Sequence, residues 1–187
     1  MILEYIIAGI IIVVIIVLIL WLVGIYNKFF SLKNSSEATL GQIKVAMKKR
    51  LDMIDQLLGS VKSYAKFEKE TLEGVTKMRT SVGSAGVGDL NKIEAESRSV
   101  LGRLFAVMEN YPDLKTSQTV KTLMDSIKDI EDEIARQRYT FNNISQQYNT
   151  MLQTIPSNII GNMLHLTKLD YLEFEDENLE KAPKIEF

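Results

Sequence analysis

An apolar run from Tyr5 to Ile25, YIIAGIIIVVIIVLILWLVGI, contains no charged residue and sets the first limit on the fold. At about 1.5 Å of rise per residue, a helix of this length spans roughly 30 Å, the thickness of the hydrocarbon layer of a bilayer. A helix packed on a soluble core would show a polar stripe, and this run has none. The sequence therefore predicts a transmembrane helix over residues 5–25, after a short N-terminal end at residues 1–4.

A cleaved signal peptide is the alternative for this run, and three features argue against it. A signal peptide has a positively charged start, a shorter apolar centre and an exit of small residues. Here the run follows MILE, whose charged side chain is Glu4, and it leads into the bulky segment WLVGIYNKFF. We therefore expect an uncleaved anchor that crosses the cell membrane once.

The basic residues beyond the apolar run predict its orientation. Lys28 and Lys33 follow it closely, whereas no Lys or Arg precedes it. The positive-inside rule places such a basic flank in the cytoplasm. We therefore expect the N-terminus outside the cell and the bulk of the chain in the cytoplasm.

Composition excludes several classes of function. The chain has no cysteine, which rules out disulfides and thiolate chemistry. Its formal net charge of −2 provides no electrostatic footprint for nucleic acid. We therefore expect no nucleic-acid partner.

Beyond residue 30 the apolar residues recur at helical spacing. In the first long segment they follow one another mostly at steps of three and four, which is typical of a seam that packs against other helices. This seam comprises Leu40, Ile43, Met47, Leu51, Ile54, Leu58, Val61, Ala65, Leu72, Val75 and Met78. No proline occurs before Pro112, so nothing in the sequence forces a break between the span and residue 82. The sequence thus suggests one continuous stalk helix up to residue 82. Since this helix would be more than twice as long as the next one, either it bends or its membrane-proximal part stands alone.

The glycine-rich stretch SVGSAGVGDL ends the first segment, and two further helices follow it. The second helix is predicted from about Asn91 to Asn110, with apolar positions Ile93, Val100, Leu101, Leu104, Phe105 and Met108. YPDLK at 111–115 is a predicted turn, because a proline disfavours the helical conformation of the residue before it. The third helix is predicted from about Thr116 to Pro156, with apolar positions Val120, Leu123, Ile127, Ile130, Ile134, Phe141, Ile144, Tyr148, Leu152 and Ile155.

The last part of the chain completes the predicted architecture. A short amphipathic piece, SNIIGNMLHLTKL, follows Pro156, with Ser157 as its expected N-cap, and residues 171–187 form an acidic C-terminal tail. No segment alternates with a period of two residues, so the predicted fold class is all-α. It consists of an N-terminal transmembrane helix and an antiparallel helical bundle over residues 26–170, with three main helices and a short fourth.

Catalytic and metal-binding patterns are weak throughout the sequence. His165 is the single histidine, and a di-iron bundle would need Glu-x-x-His pairs on two helices. The acids of DIEDEIARQR flank the predicted buried stripe and are expected on its solvated side, as are the cations of KKR at residues 48–50. GSAGVG lacks the Gly-Lys-Ser/Thr ending of a phosphate loop. We therefore predict no catalytic residue, no metal site, no cofactor and no enzymatic activity.

The stretch RYTFNNISQQYN is unusual because amides and aromatics occupy a predicted helix that they do not favour. Six of its residues recur at steps of mostly three or four and so lie on neighbouring strips of one helix surface. They are Arg138, Phe141, Asn142, Ser145, Tyr148 and Asn149. A polar network that fixes how the helices pair is the favoured interpretation, and a partner-binding strip is the alternative.

Several segments, in order, resemble the LemA family of small membrane proteins. After the span come YN at residues 26–27 and MKKRLDMIDQLLGSVKSYAKFE, followed by YPDLK at 111–115. E-x-x-I-A-x-x-R at 131–138, FNNISQQYN and IPSN at 155–158 complete the pattern, which covers residues 1 to about 170. The family usually has Tyr-Asn where this chain has Phe141-Asn142, so one phenolic hydroxyl of the suggested network is missing.

The resemblance implies a membrane-anchored, LemA-like helical bundle with no established catalytic activity. Members are considered alongside membrane proteases of the HtpX type, and some relatives act in magnetosome membranes. Our first hypothesis is a non-enzymatic scaffold or adaptor that binds or regulates another membrane-associated protein. The second is a self-assembling membrane-organising protein. The expected partners are the lipid bilayer through residues 5–25 and a membrane protein, with self-association as the alternative.

Overall fold

The computed structural model describes residues 1–62, 64 and 69–173, and within these ranges every element of regular secondary structure is a helix. The helices are α1 (Ile2–Val61), α2 (Lys69–Ser81), α3 (Val87–Asn110), α4 (Pro112–Thr116), α5 (Gln118–Gln153) and α6 (Ser157–Met163). The all-α prediction is confirmed, and the helices are compatible with the predicted bundle. Residues 174–187, most of the predicted acidic tail, lie outside the described residues.

The first helix joins the apolar run to the first part of the seam and ends earlier than expected. α1 is unbroken from Ile2 to Val61, and the N–H of Tyr64 then donates to the Val61 carbonyl at 2.9 Å, which makes a turn. The suggestion of a helix reaching residue 82 is therefore wrong. Gly59 and Ser60 are weak helix formers in the last turn, and they favour an end there without any proline. Ala65 of the predicted seam lies outside the described residues.

Capping and proline set the next boundaries. α3 begins at Val87, a few residues before the predicted start, and the N–H of Gly86 donates to Asp89 Oδ2 at 3.4 Å. An acidic side chain in the first turn also interacts favourably with the helix dipole. Tyr111 has an extended backbone and separates α3 from α4, whose first residue is Pro112. The predicted turn at YPDLK is therefore a break followed by a single helical turn.

The chain divides into two compact units. The first unit comprises Met1–Thr39 and Phe141–Asp170, and the second comprises Leu40–Thr140 and the residues from Tyr171 onward. In the first unit, Phe29, Leu32 and Tyr148 are buried together. Ile25, Phe30, Ile144, Met151, Leu152, Leu166 and Leu169 pack against them.

The core of the second unit follows the predicted seams closely. In α1 the buried seam includes Ile43, Met47, Leu51, Ile54, Leu58 and Val61; in α3 it includes Ile93, Val100, Leu101 and Leu104; in α5 it includes Ile127, Ile130 and Ile134. Two residues that were predicted to be buried in the seams are exposed instead. Phe105 is 38% exposed, and Ile155 of the first unit is 82% exposed because α5 ends at Gln153.

Polar contacts between helices of the second unit show their relative directions. α2 returns alongside α1, since Arg79 pairs with Asp52. α2 and α3 form an antiparallel hairpin, in which Arg103 Nη1 donates to Thr71 Oγ1 at 3.2 Å. These contacts give the alternating helix directions that are expected of a bundle with short connections.

Candidate functional site

The apolar run of α1 is almost entirely exposed along its length. Its 18-residue window reaches a mean hydropathy of 3.6, and none of that window is buried against the rest of the protein. The helix is therefore long and apolar enough to cross a membrane. Trp21 and Tyr26 lie near its exit, where aromatic side chains are common at the boundary between lipid and water.

A buried ion pair joins α1 and α3 within the second unit. Arg50 and Glu94 are 1% and 3% exposed. Arg50 Nη1 donates to Glu94 Oε1 at 3.1 Å, and Arg50 Nη2 donates to Glu94 Oε2 at 2.5 Å. This two-pronged geometry uses the planar guanidinium to hold both carboxylate oxygens, and it is the strongest form of such a pair.

Two further groups complete this cluster, which we call the Arg50–Glu94 cluster. Arg50 Nη2 also donates to Ser97 Oγ at 2.6 Å, and Ser97 Oγ in turn donates to the Glu94 carbonyl at 2.9 Å. Arg98 Nε donates to Glu94 Oε1 at 2.7 Å from the half-exposed side of α3. The Glu94 carboxylate thus accepts from two arginines, while Arg50 Nε is buried without a hydrogen-bond partner among the described residues.

The pKa of Glu94 reflects a contest between burial and positive charge. Burial on its own raises the pKa, because it penalises the charged carboxylate. The hydrogen bonds and positive charges of Arg50 and Arg98 together outweigh that effect, so the pKa lies below its ordinary value of 4.5. The carboxylate is therefore ionised at neutral pH and serves as an acceptor of hydrogen bonds.

The expectation of a solvated basic face at KKR is wrong for Arg50. Lys48 and Lys49 are exposed, as expected, but Arg50 points into the core. It lies three residues after Met47 and four before Ile54, both of which are buried. That spacing puts Arg50 on the same face of the helix as the seam, and the sequence carried this signal.

A second charged contact on α1 is more exposed. Arg79 of α2 pairs through Nε with Asp52, and its Nη1 lies 4.0 Å from Asp55 Oδ2. The Arg79 side chain is 47% exposed, so water screens these pairs. Such exposed pairs add little to stability.

The six predicted residues of RYTFNNISQQYN all lie on α5, with different burial. Phe141, Ser145, Tyr148 and Asn149 are buried in the first unit. Asn142 is half-buried there, and Arg138, in the second unit, is also half-buried. Ser145 Oγ is buried without a hydrogen-bond partner in the described part of the chain. A shared network or a partner surface for these six residues stays a prediction.

Asn149 makes a contact that the sequence did not reveal. Its Nδ2 donates to the Leu169 carbonyl at 2.8 Å, and its Oδ1 accepts from the Leu169 N–H at 2.9 Å. The amide thereby satisfies both backbone groups of a residue in the non-helical segment after α6. The side-chain amide, with one donor and one acceptor facing the Leu169 backbone, thereby attaches that segment to α5.

The neighbouring Tyr148 is held by packing. Its ring meets Phe29 edge-on, with ring centroids 5.6 Å apart, which is a favourable arrangement for two aromatic rings. Burial raises the pKa of the Tyr148 phenol. The residue therefore remains neutral and belongs to the core of the first unit.

The expected N-cap role of Ser157 is wrong. Pro156 occupies the N-cap position of α6, without a side-chain cap. Ser157 Oγ instead donates toward the Met151 carbonyl at 2.7 Å and lies 3.0 Å from the Thr154 carbonyl. The hydroxyl therefore satisfies carbonyls at the end of α5, which are otherwise left open by the end of the helix.

The remaining candidates for chemistry are dispersed. Asp129 and Asp132 are exposed, while Glu131 and Glu133 are half-exposed on α5. His165 is exposed and has a φ of 52°, in the left-handed region. Within the ranges that the structure covers, no three His, Asp or Glu side chains come together as a metal site would require. A groove of about 360 Å³ on α2 is lined by residues of that helix alone, among them Leu72, Glu73 and Lys77.

The fold and its contacts together define a class of protein. It is a membrane-associated helical protein with an apolar N-terminal helix and a buried ion pair between two of its helices. The sequence model of the LemA family matches residues 39–187. The chain belongs to the LemA family.

Individual relatives agree with this assignment. Protein LemA of Metamycoplasma hominis is 29% identical over 146 residues, which cover 77% of this chain and 67% of the relative. Magnetosome protein MamQ 2 of Paramagnetospirillum magneticum is 23% identical over 175 residues, covering 79% of this chain and 64% of the relative. Magnetosome protein MamQ of Magnetospirillum gryphiswaldense is 23% identical over 173 residues, covering 78% and 64%. The chain thus spans about two thirds of the length of these relatives.

Proposed function

We propose that this protein is a non-enzymatic, membrane-anchored scaffold or adaptor that binds another membrane-associated protein. One observation carries the proposal: Arg50 and Glu94 are 1% and 3% exposed and hold α1 to α3. Ionisable groups at a catalytic centre must reach a substrate, whereas the Arg50 and Glu94 side chains are almost closed to solvent. These two charged groups bond to each other and so join the helices, which leaves the outer faces of the helices to bind a partner protein.

The position of α1 supports an anchored scaffold. The same unbroken helix contains the apolar run and Arg50. A helix that joins a membrane anchor to a packed core would tether a binding domain to the membrane. The partner that we propose is a membrane protein, and a protease of the HtpX type is our specific candidate.

A self-assembling, membrane-organising role is the second candidate. It is favoured by the two relatives whose names assign them to the magnetosome. The methionines of the helix seams do not support this role. Met47, Met78 and Met108 are buried in the core and are closed to contact with a second copy.

We also propose that the bundle faces the cytoplasm. Lys28 and Lys33 are exposed on α1 directly after the apolar run, where the positive-inside rule counts them most heavily. A cytoplasmic bundle would meet partners on the inner face of the cell membrane.

Affinity capture from detergent-solubilised membranes tests the adaptor function. The full chain is the bait, and a fragment limited to residues 1–35 is the control for nonspecific capture by the apolar helix. We expect a membrane protein to be enriched with the full chain and to recover this protein when the capture is reversed. Equal recovery on both baits would remove the support for an adaptor.

A further inference from the structure

An exposed apolar patch lies on and just before α6, and no contact within the described residues covers it. It consists of Ile155, Ile159 and Met163, which are 82%, 57% and 75% exposed. We call these three residues the α6 patch. Outside the membrane helix they include some of the most exposed large apolar side chains of the protein.

The helix presents two different faces. Ser157 and Gly161 are its buried residues, four apart and so on one face. Ile159 and Met163 are also four apart, and each follows a buried residue by two positions. Two positions amount to a rotation of about 200°, so Ile159 and Met163 point away from the packed face.

The packed face of α6 rests against α5 and against α1 just beyond the apolar run. A Cβ at Gly161 would lie 3.4 Å from Phe29 Cζ and 2.6 Å from Leu152 Cδ2, so the backbone of α6 approaches both side chains closely. Ile25, the last residue of the run, packs in the same cluster as Leu166 and Leu169. All these residues belong to the first unit, so the placement of α6 beside the exit of the run is internal to that unit.

The sequence around the patch is free of charge over a long distance. No Asp, Glu, Lys or Arg occurs from Tyr139 to Thr167, although 25% of the chain is charged. The charged residues resume beyond the patch, at Lys168 and Asp170. An uncharged segment next to a membrane span is chemically matched to lipid, because moving a charged side chain toward the hydrocarbon is costly.

We propose that α6 lies in the interfacial layer of the bilayer crossed by α1, with the α6 patch in contact with lipid. Apolar side chains on such a helix enter the boundary between headgroups and acyl chains to a depth of about 5–10 Å. The contact would give the protein a second attachment to the membrane and limit tilting of the first unit. This inference rests on the membrane anchoring of α1 and goes beyond it.

The absence of cysteine makes a depth measurement direct. Single cysteines replace Ile159, Met163, Ile15 in the apolar run, and Lys128, which is exposed on α5 in the second unit. Each full-length variant carries a fluorophore and is reconstituted into phosphatidylcholine–phosphatidylglycerol vesicles. Lipids with a nitroxide near the headgroup or deep in the acyl chain then quench each label. Helix content from circular dichroism confirms that every variant is folded.

The proposal predicts that the labels at Ile159→Cys and Met163→Cys are quenched several times more strongly by the shallow nitroxide than the label at Lys128→Cys. The label at Ile15→Cys should respond most to the deep nitroxide. If Ile15→Cys responds and both α6 labels match Lys128→Cys, the interfacial placement is overturned while the anchor stands. If Ile15→Cys does not respond, the anchor itself fails and the α6 proposal fails with it.

A second copy or another protein is the competing occupant of the patch. Contact between copies would shield the α6 labels from aqueous iodide without quenching by lipid nitroxides, and the shielding would increase with protein-to-lipid ratio. That result also overturns the lipid assignment. Iodide shielding that is independent of protein density, together with shallow lipid quenching, supports it.

Discussion

Arg50 holds both carboxylate oxygens of Glu94 across the α1–α3 contact, with both side chains almost completely buried. Two charges in a core cost desolvation energy that their attraction recovers only in good geometry. The bidentate contact supplies that geometry, together with the Ser97 hydroxyl that accepts from Arg50 and the additional donor from Arg98. The main effect of the pair is therefore to specify that α1 packs against α3 and in which register.

Removing one partner of this pair should be costly. Glu94→Gln leaves the Arg50 charge buried without its counterion, a loss that typically costs about 3–5 kcal/mol. Thermal unfolding of the full chain in detergent, followed by circular dichroism, measures the effect. Arg79→Ala is the matched control, because its 47% exposed side chain pairs near the surface and should cost only about 0–1 kcal/mol. Equal losses for the two variants would contradict a special role for the buried pair.

The stabilisation from Glu94 should depend on pH with a defined sign. Its folded-state pKa lies below the ordinary value of 4.5, so the folded state favours the ionised carboxylate. The contribution is therefore fully present above pH 4.5 and is lost as the pH falls through the lower folded-state pKa. Melting curves of the wild type and Glu94→Gln should differ most near neutrality and converge in acid. A constant difference across this range would show that another group carries the effect.

The amide of Asn149 should anchor the segment after α6. Asn149→Ala strands the N–H and carbonyl of Leu169, and such losses typically cost about 1–3 kcal/mol. Thermal unfolding measures this loss, with Gln147→Ala on the exposed side of α5 as the control. If Asn142 shares a network with Asn149, the double variant should be non-additive. Unchanged melting of Asn149→Ala and Asn142→Ala would contradict a structural role for these residues and favour a role in a binding surface.

The orientation of the protein can be tested by protease access. Spheroplasts of cells that express the full chain, with an epitope after Phe187, are treated with protease before and after lysis. We expect the epitope to survive in intact spheroplasts, because the basic flank at Lys28 and Lys33 favours a cytoplasmic bundle. Loss of the epitope without lysis would reverse the orientation.

The periodicity of the sequence was enough to predict the fold class and much of the core. Ile43, Met47, Leu51 and Ile54 repeat at the spacing of one helix face, and burial follows from that spacing alone. The end of α1 at Val61 escaped prediction because weak helix formers, rather than a proline, mark it. Ile155 was assigned to the seam of α5 and is exposed, because a seam ends where its helix ends.

The polar contacts were harder to predict, for a physical reason. Arg50 could have been recognised as a seam residue from its distance to Met47 and Ile54. Its partner Glu94 lies 44 residues away on α3, and helix periodicity does not specify which helices meet. The bond between Asn149 and Leu169 joins residues 20 apart across α6 and depends on the same tertiary arrangement.

The most direct test of a structural role for the Arg50–Glu94 cluster is partner capture by the double variant Arg50→Met/Glu94→Leu. Replacing both members of a buried pair with apolar side chains of similar volume is often neutral for stability or favourable. The double variant should therefore melt near the wild type, far above Glu94→Gln, and should recover the same membrane-protein partner in equal yield. A double variant that melts like the wild type but loses the partner would contradict the account, because the cluster would then be a functional site.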